Sequence, residues 1–212
     1  AVLALYLAPS RSLLLVPAAA FAVALVAAAL VYRIATRRGV TSSVTLLLGG
    51  IAVAGAFSAA TSLVLALSLA EWELGREVLS WMMGGLEGRG WEHVAALTPP
   101  VLLGTGALFF FAKDLDALVL GEESALSVGV DVPRKRRAVL ALSALVCGAA
   151  VAIVGSVAFV GLVVPHLVRL GLGRGHTRVL WGSALGGAIL LVVADTASRA
   201  CTSIDLRPGA LT

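Results

Sequence analysis

The sequence predicts an all-α polytopic membrane protein with six transmembrane helices. Of the 212 residues, 59% are apolar and 13% are charged, whereas soluble domains carry about 25% charged residues. The apolar residues fall into runs of about 15 to 27 residues, and most of these runs could cross a hydrocarbon layer as a helix. The basic residues stand at the ends of the runs, as membrane topology requires.

The predicted spans follow one another along the chain with short connections. They are residues 13–34, 44–70, 94–111, 138–157, 158–172 and 179–200. Residues 1–8 have the composition of the last turns of a further helix. Pro99 and Pro100 lie in the early turns of the third span, and we expect them to kink or loosen it.

The segment between the second and third spans is mixed in composition. It carries Trp72, Trp81 and Trp91, and tryptophan favours the interface between membrane and water. We expect a short interfacial helix at about 76–83, followed by a glycine-rich turn.

The longest polar stretch is Asp114 to Arg137, which ends in four consecutive basic residues. Its pattern predicts two short helices, near 114–119 and 122–128, with Gly121 and Gly129 as stops. Lipid could not hold this stretch, so it must face water and offers a compact docking surface.

The basic residues also predict orientation, because they concentrate on the cytoplasmic side of membrane proteins. If the spans alternate, one side holds eleven of the 16 basic residues. These are Arg33, Arg37, Arg38, Lys113, Arg134, Lys135, Arg136, Arg137, Arg169, Arg174 and Arg178. The polar stretch is therefore predicted to be cytoplasmic. The alternation requires that the short run 158–172 also crosses the membrane.

Small residues recur at four-residue spacing in the second span, at Gly50, Ala54, Ser58 and Ser62. Such a face allows close packing of two helices in a membrane. It would equally suit a helix that lines a translocation path, and the sequence leaves both interpretations open.

The spans carry almost no ionisable chemistry. No Asp, Glu or Lys lies in the central part of any span, which disfavours a self-powered secondary carrier. The sequence has no phosphate-binding GxxxxGK[ST] motif and no cysteine–histidine cluster. Cys147 and Cys201 are interpreted as small packing residues. We therefore predict no catalytic, cofactor or metal site and no nucleic-acid partner. A passive channel and a subunit driven by a partner remain.

Three stretches resemble one family of permeases. GEESALSVGVDVPRKRR resembles the cytoplasmic coupling segment of the type II ABC importers for iron-siderophores, haem and cobalamin. The family pattern G-E-x-x-A-x-x-L-G is matched by Gly121, Glu122, Ala125 and Gly129, with Val128 in place of Leu. The block AFVGLVVPHLVRLGLGRGHTRVLWGSALGGAILLVVADTASR and the stretch SWMMGGLEGRGWEHV are also similar to the family.

This resemblance implies a ten-helix permease of which the chain is one transmembrane domain, cut at both ends, with a coupling segment at about 112–137. It implies an ATP-driven importer in a cell membrane, with ATP hydrolysis in a separate ATPase subunit, so that this chain is not itself an enzyme. The implied partners are that ATPase, a substrate-binding protein, a second permease copy or homologue, and membrane lipid. A passive channel or a secondary carrier is the alternative.

The resemblance also assigns residues to roles. Those expected to couple to the ATPase are Gly121, Glu122, Glu123, Ala125, Val128 and Gly129. The path-lining role of Gly50, Ala54, Ser58 and Ser62 is expected from their small-residue face and not from the resemblance. Arg199, four residues after Asp195 and able to pair with it, is expected to meet the binding protein.

Overall fold

The computed structural model describes residues 15–37, 40–68, 75, 78–79, 82–86, 88–157 and 159–201. The helices with defined bounds are α1 (Leu15–Ala35), α2 (Ser43–Ser68), α3 (Trp91–Phe110), α4 (Ala112–Val119), α5 (Glu122–Ser127), α6 (Val132–Val154), α7 (Val160–Leu172) and α8 (His176–Cys201). Between α1 and α2, the two-residue strands β1 (Thr36–Arg37) and β2 (Val40–Thr41) pair antiparallel. The prediction of an all-α membrane protein is confirmed.

Among the residues that the structure describes, four helices are long and apolar enough to cross a membrane. Their apolar spans are Val44–Ser68, Trp91–Phe110, Val132–Val154 and His176–Ala200. Two shorter apolar stretches, Phe21–Ala35 and Val160–Leu172, coincide with the other two predicted spans. Crossing by these two stays a prediction. The 13 residues of α7 measure only about 20 Å as a helix.

Several helix boundaries differ from the sequence-based ones. α6 begins six residues earlier than predicted because the Asp131 carboxylate accepts the backbone N–H of Arg134 and Pro133 occupies the first turn. Pro99 and Pro100 lie inside α3, which continues through them without a break.

Close packing of the helices depends on glycines that face a neighbour. A Cβ on Gly148 of α6 would lie 3.0 Å from the Ala24 Cβ of α1. Gly104 of α3 faces Val146 of α6 with no room for a side chain. These contacts hold α1 and α3 closely against α6, as small residues allow between helices in a membrane.

α7 and α8 form a second pair. A Cβ on Gly182 would lie 2.5 Å from Val168 Cγ1, and one on Gly186 would lie 2.9 Å from Val164 Cγ1. The Gly182/Gly186 spacing therefore brings α8 against α7. Non-glycine Phe159, at the start of α7, adopts a positive φ of 61°.

At the end opposite α4 and α5, the loop before α3 contacts the end of α6. The Gly85 N–H donates to the Val154 carbonyl at 2.8 Å, and Gly84 has a positive φ of 62° beside Ser156. Trp91 opens α3 and is 87% exposed. Trp72, Trp81 and half of the helix predicted at 76–83 lie outside the described residues.

Candidate functional site

The segment predicted to couple to a partner, residues 112–137 and called the coupling segment below, folds as a hairpin of two short helices followed by the first turns of α6. α4 and α5 occupy the positions predicted for them, within one or two residues at each end. Ala125 is fully buried, and together with Val130 and Val132 it forms a small apolar cluster against which Ala117 and Leu118 pack. The hairpin thus has a core of its own, which a plain linker would not need.

Two glycines form the turns of this hairpin. Gly121 has φ 117° and ψ 152°, a conformation essentially restricted to glycine. Gly129 has φ 82°, and its N–H donates to the Leu126 carbonyl while the Val130 N–H donates to the Ala125 carbonyl. Both were predicted as helix stops, and both helices end beside them.

The outer surface of the hairpin is apolar as well as polar. The exposed fractions are 71% for Val119, 78% for Leu120, 58% for Leu126 and 69% for Val128. Beside them, Gly121, Glu123 and Gly129 are exposed. Exposed apolar side chains of this kind are more favourable in contact with a partner protein than in contact with bulk water.

The predicted coupling residues thus occupy different environments. Val128, Glu123 and the two glycines reach the surface, whereas Ala125 supports the hairpin from inside. The side chain of Glu122 lies outside the described part. Sequence reasoning missed Val119 and Leu120, although two apolar residues directly before Gly121 in a polar stretch could have indicated them.

Charged contacts fix the hairpin to the helices beside it. Lys135 Nζ of α6 lies 2.7 Å from Asp114 Oδ2 of α4 and 4.9 Å from the ring centroid of Phe111. Asp131 pairs with Arg134 at 2.8 Å in the first turn of α6. The basic cluster at the end of the segment is therefore partly used in holding the segment's own acids.

A longer-range contact joins the coupling segment to α8. The Asp116 carboxylate of α4 accepts the backbone N–H of His176 at 2.9 Å, and its Oδ1 lies 2.6 Å from His176 Nδ1. The backbone N–H first, and then the imidazole, lower the pKa of Asp116 below its usual range. The contact brings together, at one end of the molecule, the connection between α3 and α6 and the connection between α7 and α8, both rich in basic residues.

The small-residue stripe of α2 is not packed within the described part of the chain. Ala54, Ser58 and Ser62 are exposed, and a Cβ on Gly50 would meet nothing within 4 Å. This distinguishes the stripe from Gly148, Gly182 and Gly186, which face neighbouring helices. The stripe is available to a path, a further helix or a second subunit.

Arg199 pairs within its own helix. Its Nε donates to Asp195 Oδ2 at 2.9 Å, as the four-residue spacing predicted. The Arg199 side chain is still 62% exposed, so the pair leaves it accessible.

In the part of the chain that the structure describes, no group of three or more His, Cys, Asp or Glu side chains could hold a metal.

Taken together, the apolar helices define a multi-pass membrane protein, and the folded polar hairpin lies at one end of it. The family model for the FecCD transport family matches residues 1–212. The chain belongs to this family.

Individual relatives agree with this assignment. The chain is 45% identical over 195 residues to the cobalamin import system permease protein BtuC of Halobacterium salinarum, covering 91% of this chain and 51% of the relative. It is 35% identical over 210 residues to the Fe(3+) dicitrate transport system permease protein FecD of Escherichia coli, covering 99% of this chain and 64% of the relative. The chain thus spans about half to two thirds of the length of these relatives.

A solved structure has the same arrangement of helices. It shows a protein assigned to the metal-chelate type of ABC transporter, in an inward-facing conformation. The match has a TM-score of 0.75 with 32% identical residues, and it covers 80% of this chain and 55% of the solved one.

Proposed function

We propose that the chain is the permease subunit of an ATP-driven importer, and that the coupling segment is its contact with the ATPase. The hairpin carries this proposal, because it presents exposed apolar side chains at the end of the molecule where basic residues concentrate. Family membership supports the same role. ATP hydrolysis then belongs to a separate subunit, and the coupling segment lies in the cytoplasm.

The names of the relatives support a proposal for the ligand class. The matched permeases are named for cobalamin and iron dicitrate, and the matched structure for a metal chelate. We infer a bulky metal-containing ligand, such as an iron-siderophore, haem or cobalamin, delivered by an external binding protein. Arg199, exposed at the end of α8 away from the coupling segment, is the residue proposed to meet that protein.

The open stripe of α2 is proposed to line the path. Gly50, Ala54, Ser58 and Ser62 present a small and weakly polar surface that a large ligand could pass without strong binding. A second permease, identical or homologous, would enclose the path from its other side.

The overall function is tested by reconstituting the full-length protein in proteoliposomes with an ABC ATPase and a binding protein encoded beside it. Uptake of cyanocobalamin, a ferric siderophore and haem is compared with ATP and with a non-hydrolysable analogue. We expect uptake of one class only with ATP. Equal uptake under both conditions would indicate a passive channel, and uptake driven by an ion gradient would indicate a secondary carrier.

The docking surface is tested at Val128, where two substitutions give opposite expectations. Val128→Glu places a charge in the apolar surface and should reduce co-purification of the ATPase at least about tenfold. Val128→Leu keeps the surface apolar and should leave co-purification unchanged. Equal co-purification of both variants with the ATPase would exclude this surface from the contact.

A further inference from the structure

The contact between Asp116 and His176 joins two parts of the chain that lie 60 residues apart. Asp116 belongs to α4 of the coupling segment, and His176 is the first residue of α8. One carboxylate oxygen meets both the backbone N–H and the Nδ1 atom of His176. Such a double contact fixes the position of α4 relative to the first turn of α8 in more than one direction.

The chemistry of the contact favours a tight association. The first N–H groups of a helix have no acceptor within the helix, and a negative charge is favoured at that end. A carboxylate can only accept hydrogen bonds, so His176 Nδ1 must carry the proton that lies between the two atoms. The cap that α8 needs at its start is therefore supplied by the coupling segment and not by the residue before the helix.

The contact lies between two tightly packed units, the α7–α8 pair and the α4–α5 hairpin. α8 packs on α7 through Gly182 and Gly186, with too little room for either helix to slide freely past the other. A force on the first turn of α8 would therefore act on the α7–α8 pair. On the other side, α4 shares the small apolar core that holds α5, whose surface carries the docking residues.

From this geometry we propose that Asp116 and His176 are positioning residues that make α4 and the start of α8 move as one body. Displacement of the coupling segment by an ATPase then reaches the α7–α8 pair directly, besides travelling along the chain into α6. This inference rests on the proposed ATP-driven function, and it adds a route by which the motion enters the membrane.

The first experiment removes the acceptor and measures coupling. The full-length transporter with Asp116→Ala should still assemble with its ATPase and hydrolyse ATP, but the ligand imported per ATP should fall at least about fivefold. Asp116→Asn keeps a side-chain oxygen for the His176 N–H and should retain most of the wild-type ratio. An unchanged ratio in Asp116→Ala, with normal assembly, would overturn the proposal.

The second experiment tests whether α4 and the start of α8 move together during transport or whether Asp116 only caps α8. Cysteines are introduced as Asp116→Cys and His176→Cys after replacing Cys147 and Cys201 with alanine. Without a crosslink, the amount of ligand imported per ATP hydrolysed should be low. A short thiol-specific crosslinker should restore this amount. If crosslinking abolishes import, the two elements must separate during transport and the proposal is wrong.

These outcomes differ from a failure of the proposed function. If the chain is not part of an ATP-driven importer, the wild-type protein itself shows no ATP-dependent uptake. As a control, crosslinking Glu92→Cys to Ala96→Cys should leave the wild-type ratio unchanged, because both residues lie in the first turns of α3, at the end of the molecule away from the coupling segment.

Discussion

At Asp116, a single carboxylate oxygen serves two donors of His176, and its side chain is 45% exposed. The donors stabilise the ionised carboxylate, so the pKa of Asp116 is lower in the folded protein than in the unfolded chain. A lowered folded pKa means that the contribution to stability is present above the unfolded pKa. It is lost as the pH falls through the lowered folded value.

We therefore expect the melting temperature of the wild-type protein to exceed that of Asp116→Asn at neutral pH. The difference should correspond to no more than about 1 kcal/mol, since water screens an exposed pair, and it should close below about pH 4. Melting curves in detergent over a pH series measure it. A difference that already vanishes above pH 5 would show that another group is responsible.

Gly121 presents a second constraint at this scale, because its φ of 117° is open to glycine and not to other residues. Gly121→Ala should destabilise the α4–α5 turn by about 1–3 kcal/mol and accelerate hydrogen exchange in α5. Gly106→Ala is the matched control. Gly106 lies inside α3 with nothing within 4 Å of its Cβ position, so this change should be neutral or stabilising. Equal effects of the two changes would contradict the turn geometry.

Among the elements, the α7–α8 pair shows how closely glycine lets two helices approach. Both γ carbons of Val168 and Leu172 Cδ1 lie within 3.2 Å of the Cβ position of Gly182. Valine is stiff at χ1 and cannot turn aside at little cost. The packing therefore depends on the absence of one methyl group.

Gly182→Ala should lower the stability of the protein by about 1–3 kcal/mol through overpacking, although alanine is the better helix former. Gly187→Ala, whose Cβ would lie 3.8 Å from Val160 Cγ1, should be neutral or stabilising. Thermal unfolding followed by tryptophan fluorescence compares them. If Gly182→Ala melts no lower than the control, α7 and α8 are not packed as described.

The positions of most helices could be predicted from the sequence alone, whereas some helix starts could not. Apolar runs and glycines located the long helices and the two short ones, because burial in lipid and backbone strain act locally. The start of α6 was placed too late because the charges at 134–137 were assigned to a connection, although Asp131 and Pro133 are recognisable start signals. The start of α8 was predicted at residue 179, three residues too late, since its cap comes from Asp116 in another helix.

In the candidate site, too, the features that depend on local sequence were predicted, and those that depend on packing between helices were not. Gly121 and Gly129 were predicted because their conformations are intrinsic to the turn. The burial of Ala125 and the exposure of Leu120 depend on how α4 folds against α5, which spacing in the sequence does not determine.

For the whole molecule, the unpacked stripe of α2 decides how the chain can assemble. If it lines a path, polar thiol reagents should modify Ser58→Cys and Ser62→Cys, and the rates should differ at least severalfold between ATP-bound and ATP-free transporter. Leu63→Cys, at the same depth on another face and 62% exposed, should react slowly in both states if only the stripe lines the path. Inertness of Ser58→Cys and Ser62→Cys in every state would assign the stripe to helix packing.

α6 is the element that is held at both of its ends. Lys135 binds Asp114 at one end, and Val154 accepts the Gly85 N–H at the other, 2.8 Å away. Its 23 helical residues form a rod about 35 Å long. A rod of that length pivoting near its middle by about 10° moves each tip by about 3 Å, in opposite directions. A displacement of the coupling segment in one direction would then move the opposite end of α6 in the other direction, without any change in the helix itself.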